Sequence, residues 1–326
     1  MQAATHIVIL GAGSIGTALG NSLANRDDLE VTLLSVEENV VETITREHIN
    51  QHYFPNIRLH PGLKATTNES VLSAAGIVLL AIPSSSVVNY LLKLQPLLPP
   101  QAILVNLAKG FGCRNQIISE CLKDRLPNPV CAMKGPSFAR EIINNIPTAF
   151  TLAAEDEAVI DKLVPVFPGT NLYFDRSTDL MGVELLSMLK NIYAIIIGIV
   201  DAHFNSPNLR FLVFTKAFNE MRQILLHFGG KEETMFNYCG IGDFGLTALN
   251  DLSRNRTLGL LIGKGFFTED ISGKVVLEGR VAMNVFLEKL VADELDPAQY
   301  KLMQELDRVF AGNYDMSGFV NKLLND

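Results

Sequence analysis

Short, almost uninterrupted apolar runs alternate with amphipathic stretches through the first half of the chain. Ile7 to Leu10, Val31 to Leu34, Ile77 to Ile82, Ala102 to Asn106 and Val130 to Met133 are aliphatic, rich in β-branched residues and bounded by glycine, proline or polar turns, which predicts buried strands. A strand without apolar/polar alternation is covered on both faces, so the pattern predicts a parallel sheet with helices on either side.

From about Val183 the pattern changes to long amphipathic stretches: Val183 to Phe204, Leu209 to Phe228 and Pro297 to Val309 read as helices, with no further convincing strand. Between the halves, Phe167-Pro168-Gly169-Thr170 reads as a turn and Leu172 to Phe174 as one last strand. With 326 residues the chain exceeds the usual size of a single core, which predicts two domains, 1–180 and 181–326. Ile192 to Val200 is the most apolar later stretch and is closely flanked by Lys190 and Asp201. A membrane span needs about 20 apolar residues, so it reads as a buried core helix, and no membrane span is expected.

Asp plus Glu number 35 against 27 Lys plus Arg, which argues against nucleic acid or an anionic membrane as a bulk partner but leaves room for a local cationic pocket. Cys113, Cys121, Cys131 and Cys239 show no metal-like spacing and no disulfide framework, so reduced thiols, a cytoplasmic location and no metal are expected. The N-terminus enters the strand at Ile7 without a signal-peptide pattern.

Candidate chemistry gathers at the strand ends. Gly11-Ala12-Gly13-Ser14-Ile15-Gly16 follows the first strand and opens the helical stretch Thr17 to Ala24. The first glycine permits the tight turn, the second lets backbone approach a pyrophosphate, and the third allows helix to pack on strand. At the second strand's end, Glu37 suits a ribose hydroxyl, Ser35 suits a 2′-phosphate and Arg46 lies further down the next helix, which leaves NAD and NADP both open. Ala81-Ile82-Pro83-Ser84, Lys109-Gly110 and Gly135-Pro136-Ser137-Phe138-Ala139 end the next three strands and supply one rim with small, hydroxyl-bearing and cationic residues.

In the second half, Lys190 interrupts an apolar helix; burying a lysine unpaired is costly, so it either reaches past its neighbours or faces a polar cleft with a carboxylate partner. Gly240-Ile241-Gly242-Asp243 presents a carboxylate on a turn, and Ser253-Arg254-Asn255-Arg256 offers donors that suit a phosphate. A plain helix N-cap at Ser253 with solvated arginines is the alternative.

Taken in order, GAGSIGTAL, AIPSSSV, AKG, GPSFARE, LKNIYAIIIGI, GIGDFGLT, LSRNRTLG and VLEG resemble the bacterial NAD(P)-dependent glycerol-3-phosphate dehydrogenases, from Gly11 to Gly279. That resemblance implies an α/β chain: an N-terminal Rossmann-like doubly wound sheet followed by an all-helical C-terminal domain. It implies reversible hydride transfer between NAD(P)H and the C2 carbonyl of dihydroxyacetone phosphate, giving sn-glycerol 3-phosphate for phospholipid synthesis. It also implies a homodimer. Gly11, Gly13, Ser14, Ile15, Gly16 and Ala139, with the late pair Val276 and Glu278, would hold the dinucleotide. Lys109, Gly135, Ser137, Lys190, Asp243, Ser253, Arg254 and Asn255 would surround the three-carbon phosphate, Lys109 and Arg254 also reaching the cofactor. Lys190 would be the proton donor and acceptor, assisted by Asp243 and Lys109.

The chain departs from the family pattern in three places. Leu34 and Val36 stand where Trp and then a base are usual, Lys134 stands where a small residue precedes GPSFA, and Asp201 to Asn208 replaces a glycine-rich GLGLGDN segment. Two rival readings are a β-hydroxyacid or 6-phosphogluconate-type dehydrogenase and a non-catalytic dinucleotide sensor. The first would place an asparagine at position 194, which is Ala194, with the asparagine instead at Asn191; the second would have lost Lys190, Asp243 or Arg254.

Overall fold

The computed structural model describes residues 4–266, 277–312 and 314–324. It forms two compact units, Met1–Val183 and Glu184–Asp326.

Unit 1 is built on one eight-stranded sheet. Its strands are β1 (Thr5–Leu10), β2 (Leu29–Leu34), β5 (Lys64–Thr66), β6 (Ile77–Leu80), β7 (Ile103–Asn106), β8 (Val130–Lys134), β9 (Thr148–Ala153) and β10 (Leu172–Ser177), in the order β10-β9-β8-β7-β6-β1-β2-β5. A separate ribbon pairs β3 (Ile49–Asn50) with β4 (Phe54–Arg58) in antiparallel fashion. All five expected strands and the last one are present, within a few residues at their ends. The sheet is not wholly parallel, however: β8 and β9 run antiparallel, Met133 opposite Leu152. β5, β9 and the ribbon escaped the sequence reading because each is short or interrupted by charge, threonine or proline.

Alternation along each strand divides the core. Ile7, Ile9, Ile77, Leu79, Ile103 and Val105 enter one apolar cluster, and Val8, Leu10, Val78, Leu80 and Leu104 enter the other, as the two-residue period of a pleated strand requires. The first cluster is covered by α1 (Ser14–Leu23), α2 (Glu38–Glu47), α5 (Ala139–Ile143) and α6 (Glu157–Leu163), the second by α3 (Ser84–Leu94) and α4 (Ile118–Lys123). Helices therefore lie on both faces. The chain leaves β1 towards β2 and β5 and later returns to β6 on the other side of β1. The carboxyl ends of β1 and β6 thus flank the switch point where open α/β sheets bind ligands.

Unit 2 is helical throughout its described residues. It holds α7 (Leu180–His203, which begins in unit 1), α8 (Pro207–His227), α9 (Asp243–Leu249), α10 (Arg254–Gly263), α11 (Leu277–Ala292), α12 (Lys301–Phe310) and α13 (Phe319–Leu324). By length and composition α7 qualifies as a membrane-crossing helix, but its apolar window is wholly buried within the structure, as befits a core helix.

The break at residues 204–206 is short. Ser206 caps α8 by accepting from the Leu209 N–H at 3.4 Å, and Pro207 occupies the first helical position, where its missing N–H leaves nothing unsatisfied. Buried Asp201 takes both the Arg210 Nε–H, at 2.7 Å, and an Arg256 Nη2–H, at 2.8 Å. The segment that departs from the glycine-rich family pattern is thus a charge-clamped helix–helix turn.

Candidate active site

The glycine turn of unit 1 contains three glycines with different reasons to be glycine. Gly11 has φ +103°, and a Cβ there would stand 2.6 Å from the Ala81 carbonyl oxygen, a left-handed conformation and contact that side chains do not tolerate. A Cβ on Gly16 would stand 2.1 Å from the Gly11 carbonyl oxygen, so these two glycines let α1 pack against the end of β1. Gly13 has no such neighbour, the nearest atom being Tyr53 Cζ at 4.0 Å. Its missing side chain leaves open space beside the first turn of α1, whose N-cap is Gly13 itself with no side-chain cap. Uncapped amides at the positive end of a helix, reached over a glycine, fit the pyrophosphate of a dinucleotide. Gly13, Ser14 and Ile15 would hold it.

At the end of β2, Ser35 is buried and its Oγ accepts the Glu37 N–H at 3.1 Å. Val36 is 81% exposed. Arg46 sits in the last turn of α2 and pairs on the surface with Glu42 at 2.5 Å. Tyr53, absent from the sequence reading, lies beside both Gly13 and Glu37: partial burial first, and the Glu37 carboxylate second, raise its phenol above the ordinary range. Nothing in local sequence points to it, since it reaches the site from the β3–β4 ribbon.

The other strand ends pack tightly. A Cβ on Gly110 would stand 2.4 Å from Ser84 Oγ, which sets the half-buried Lys109 beside the start of α3. Lys134 is fully buried and its ammonium donates to the Ala108 carbonyl. Its charge is thus tied to backbone next to Lys109. Gly135 lies against the β9 backbone, where a Cβ would meet the Ala149 carbonyl oxygen at 2.5 Å. Ser137 Oγ donates to the Gly135 carbonyl at 3.0 Å, and Ala139 opens α5.

In unit 2, Lys190 Nζ donates to Asp243 Oδ1 at 2.5 Å and to Thr247 Oγ1 at 2.8 Å, and the Lys190 and Asp243 side chains are 4% and 2% exposed. The lysine therefore has the carboxylate partner that burial demands. Asp243 stands in the first turn of α9, with Gly242 as its N-cap, where the helix dipole favours a negative charge. Thr247 was missed, although its spacing of four from Asp243 places both on one face of a helix.

Helix α10 is pressed onto α7 by small residues. A Cβ on Gly259 would stand 2.0 Å from the Ile195 carbonyl oxygen and 2.9 Å from Gly198 Cα. This crossing brings Asn255 Nδ2 to 2.9 Å from Asn191 Oδ1, one residue beyond Lys190. Gly279 lies nearby, 3.6 Å from Asn255 Oδ1 to a Cβ placed on it. Ser253 is buried and caps α10, accepting the Arg256 N–H at 3.3 Å. The two arginines of the motif part company: Arg254 is exposed, whereas Arg256 is buried and paired with Asp201 and Asp251. Val276 and the side chain of Glu278 lie outside the described residues.

Unit 1 thus gathers Gly11, Gly13, Ser14, Ile15, Gly16, Lys109, Gly135, Ser137 and Ala139 onto its carboxyl-edge loops, and unit 2 gathers Lys190, Asp243, Ser253, Arg254 and Asn255 around the α7–α9–α10 junction. No group of three or more potential metal ligands occurs among the described residues.

Comparison with known proteins agrees along the whole chain. Residues 6–160 match the N-terminal family model of NAD-dependent glycerol-3-phosphate dehydrogenase, and residues 179–321 match the C-terminal one. A glycerol-3-phosphate dehydrogenase [NAD(P)+] of Agrobacterium fabrum is 31% identical over 98% of this chain and 96% of its own. That of Syntrophotalea carbinolica is 36% identical over 84% of each. The crystal structure of glycerol-3-phosphate dehydrogenase from Coxiella burnetii superposes with a TM-score of 0.89 at 29% identity, covering 99% of both chains.

Proposed function

Because the chain belongs to the NAD-dependent glycerol-3-phosphate dehydrogenases, oxidoreductases acting on a CH–OH group, we propose that it interconverts dihydroxyacetone phosphate and sn-glycerol 3-phosphate and supplies the latter to phospholipid synthesis. The observation that carries this reading is the buried Lys190–Asp243–Thr247 cluster. A bound nicotinamide supplies or accepts the hydride at C2.

The chain's own residues do the rest. The amides of Ser14 and Ile15 hold the dinucleotide phosphates. Lys190 Nζ donates a hydrogen bond to the C2 oxygen, stabilises negative charge growing there and delivers a proton to it; in the reverse direction it takes that proton back. Asp243 and Thr247 fix the ammonium's position. Arg254 and Asn255 donate charge-assisted hydrogen bonds to the substrate phosphate.

The same reading assigns NADH as the preferred cofactor. Glu37 matches a ribose 2′-hydroxyl and repels a 2′-phosphate, the exposed position 36 carries valine, and Arg46 is engaged with Glu42. A homodimer formed through the helical unit is supported by the exposed apolar side chains of Phe204, Phe211, Leu212 and Phe236, which an interface would cover. Four free cysteines support work in a reducing cytoplasm.

Loss of absorbance at 340 nm tests the activity, with dihydroxyacetone phosphate offered alongside NADH or NADPH, and with a β-hydroxyacid and 6-phosphogluconate as control substrates run in the oxidative direction. Oxidation of the reduced cofactor by dihydroxyacetone phosphate, faster with NADH and with both controls inert, is the expected result. Cofactor binding without turnover on any of the three would establish the sensor reading instead.

A further inference from the structure

The loop after Lys109 sets one thiol, Cys113, against another on α4, Cys121, and the proposed reaction uses neither. Cys113 and Cys121 lie eight residues apart in sequence, and their sulfurs are 2.7 Å apart. An Arg125 Nη1–H points at Cys113 Sγ from 2.7 Å. Cys121 Sγ also accepts the Cys113 N–H at 3.1 Å. The two thiols differ in environment: Cys121 is buried, whereas Cys113 is partly exposed. A built pair of this kind, with one accessible sulfur beside a guanidinium and one shielded sulfur in contact with it, has the parts of an attacking and a resolving thiol.

Three observations separate it from chance packing of two cysteines. Burial raises Cys113, but the contact with Cys121 and the Arg125 guanidinium outweigh it and hold the thiol below its usual range. Burial first, and the neighbouring sulfur second, push Cys121 up to about 11. Phe111 bridges to Ile117 across the turn, and a Cβ on Gly112 would stand 2.8 Å from Cys121 Sγ. With the sulfurs already 2.7 Å apart, closing a bond between them requires only a small shift.

We propose that Cys113 and Cys121 form a reversible dithiol/disulfide couple, a modification site for hydroperoxides that would tie the loop after Lys109 to α4. The Cys113 thiolate attacks one oxygen of hydrogen peroxide; the S–O bond forms, the O–O bond breaks, and the departing hydroxide is protonated to water. The Cys121 thiol then loses its proton and attacks the Cys113 sulfur, forming S–S and breaking S–O with release of a second water. Two thiols are oxidised by two electrons and one peroxide is reduced to two waters. A small dithiol reverses the change by exchange.

The full-length protein is treated with hydrogen peroxide in modest excess and followed by intact mass and by peptide mapping without reduction. Loss of two hydrogens, a crosslinked peptide joining Cys113 to Cys121, and recovery with dithiothreitol are expected. Cys121→Ser is expected to abolish the crosslink and leave Cys113 trapped as a sulfenic acid that dimedone labels. Arg125→Met, which removes a half-buried guanidinium that also donates to the Cys121 carbonyl at 3.0 Å, is expected to slow the reaction about tenfold as the thiolate fraction falls. Absence of the Cys113–Cys121 peptide from the wild-type protein while peroxide oxidises methionine or another cysteine would overturn the proposal, as would an unchanged rate in Arg125→Met.

Discussion

Lys190 and Asp243 meet across 53 residues of sequence, Nζ to Oδ1 at 2.5 Å, with both side chains almost wholly removed from solvent. A buried ion pair is weak evidence of net stabilisation, but losing one partner leaves an uncompensated charge and costs about 3–5 kcal/mol. Asp243→Asn is therefore expected to lower stability by an amount on that scale and to reduce kcat together. Thr247→Val removes a neutral partner only and should cost about 1 kcal/mol, with a smaller fall in kcat. Chemical denaturation and steady-state kinetics on the two variants check the order. Equal effects from both would mean that the charge of Asp243 plays no special part.

The glycines of the first turn separate folding from binding. Gly16→Ala places a Cβ 2.1 Å from the Gly11 carbonyl oxygen, whereas Gly13→Ala meets nothing of the protein closer than 4.0 Å. Gly16→Ala should lower the melting temperature, overpacking of this kind costing about 1–3 kcal/mol. Gly13→Ala should melt like the parent but bind NADH at least tenfold more weakly. Undiminished NADH affinity in a well-folded Gly13→Ala protein would remove that turn from the cofactor site.

A pH dependence follows from Glu220. Its carboxylate is buried and accepts from Tyr193 Oη–H at 2.9 Å and from the N–H groups of Leu302 and Met303 at 3.0 and 2.9 Å. Burial raises it, and the backbone donors from Met303 and Leu302 only partly oppose the rise. A carboxyl raised on folding holds its proton longer in the native state than in the unfolded chain. Its contribution is therefore full below the unfolded value near 4.5 and declines as pH climbs to the raised folded value, by at most about 1.4 kcal/mol per pH unit. Glu220→Gln keeps much of the geometry without the titration, so denaturation curves should show the wild type losing ground to the variant across that window and no further above it.

Legibility in the sequence followed the range of the interactions. β1, β6, β7 and α7 were legible because each buries a continuous apolar run, and the glycine turn because its spacing is dictated by local backbone. The Lys190–Asp243 contact was implied only by resemblance to a family, since the residues that bring α9 to α7 are distant in sequence. Tyr53 and Thr247 gave less to read. The first arrives on a ribbon whose strands are too short for periodicity, and the second was a helix-spaced neighbour of a residue already singled out. Arg256 looked like a phosphate ligand beside Arg254, and only tertiary packing shows it clamped by Asp201 and Asp251.

The most direct test of the account is the turnover of Lys190→Ala on dihydroxyacetone phosphate with saturating NADH, beside a fluorescence titration of NADH binding to the same protein. Loss of a proton donor that also stabilises developing charge should lower kcat by at least about 100-fold, with NADH affinity within a few-fold of the parent. A variant that keeps wild-type kcat would contradict the assignment of Lys190 to the reaction, and with it the reading of the α7–α9–α10 junction as the catalytic centre.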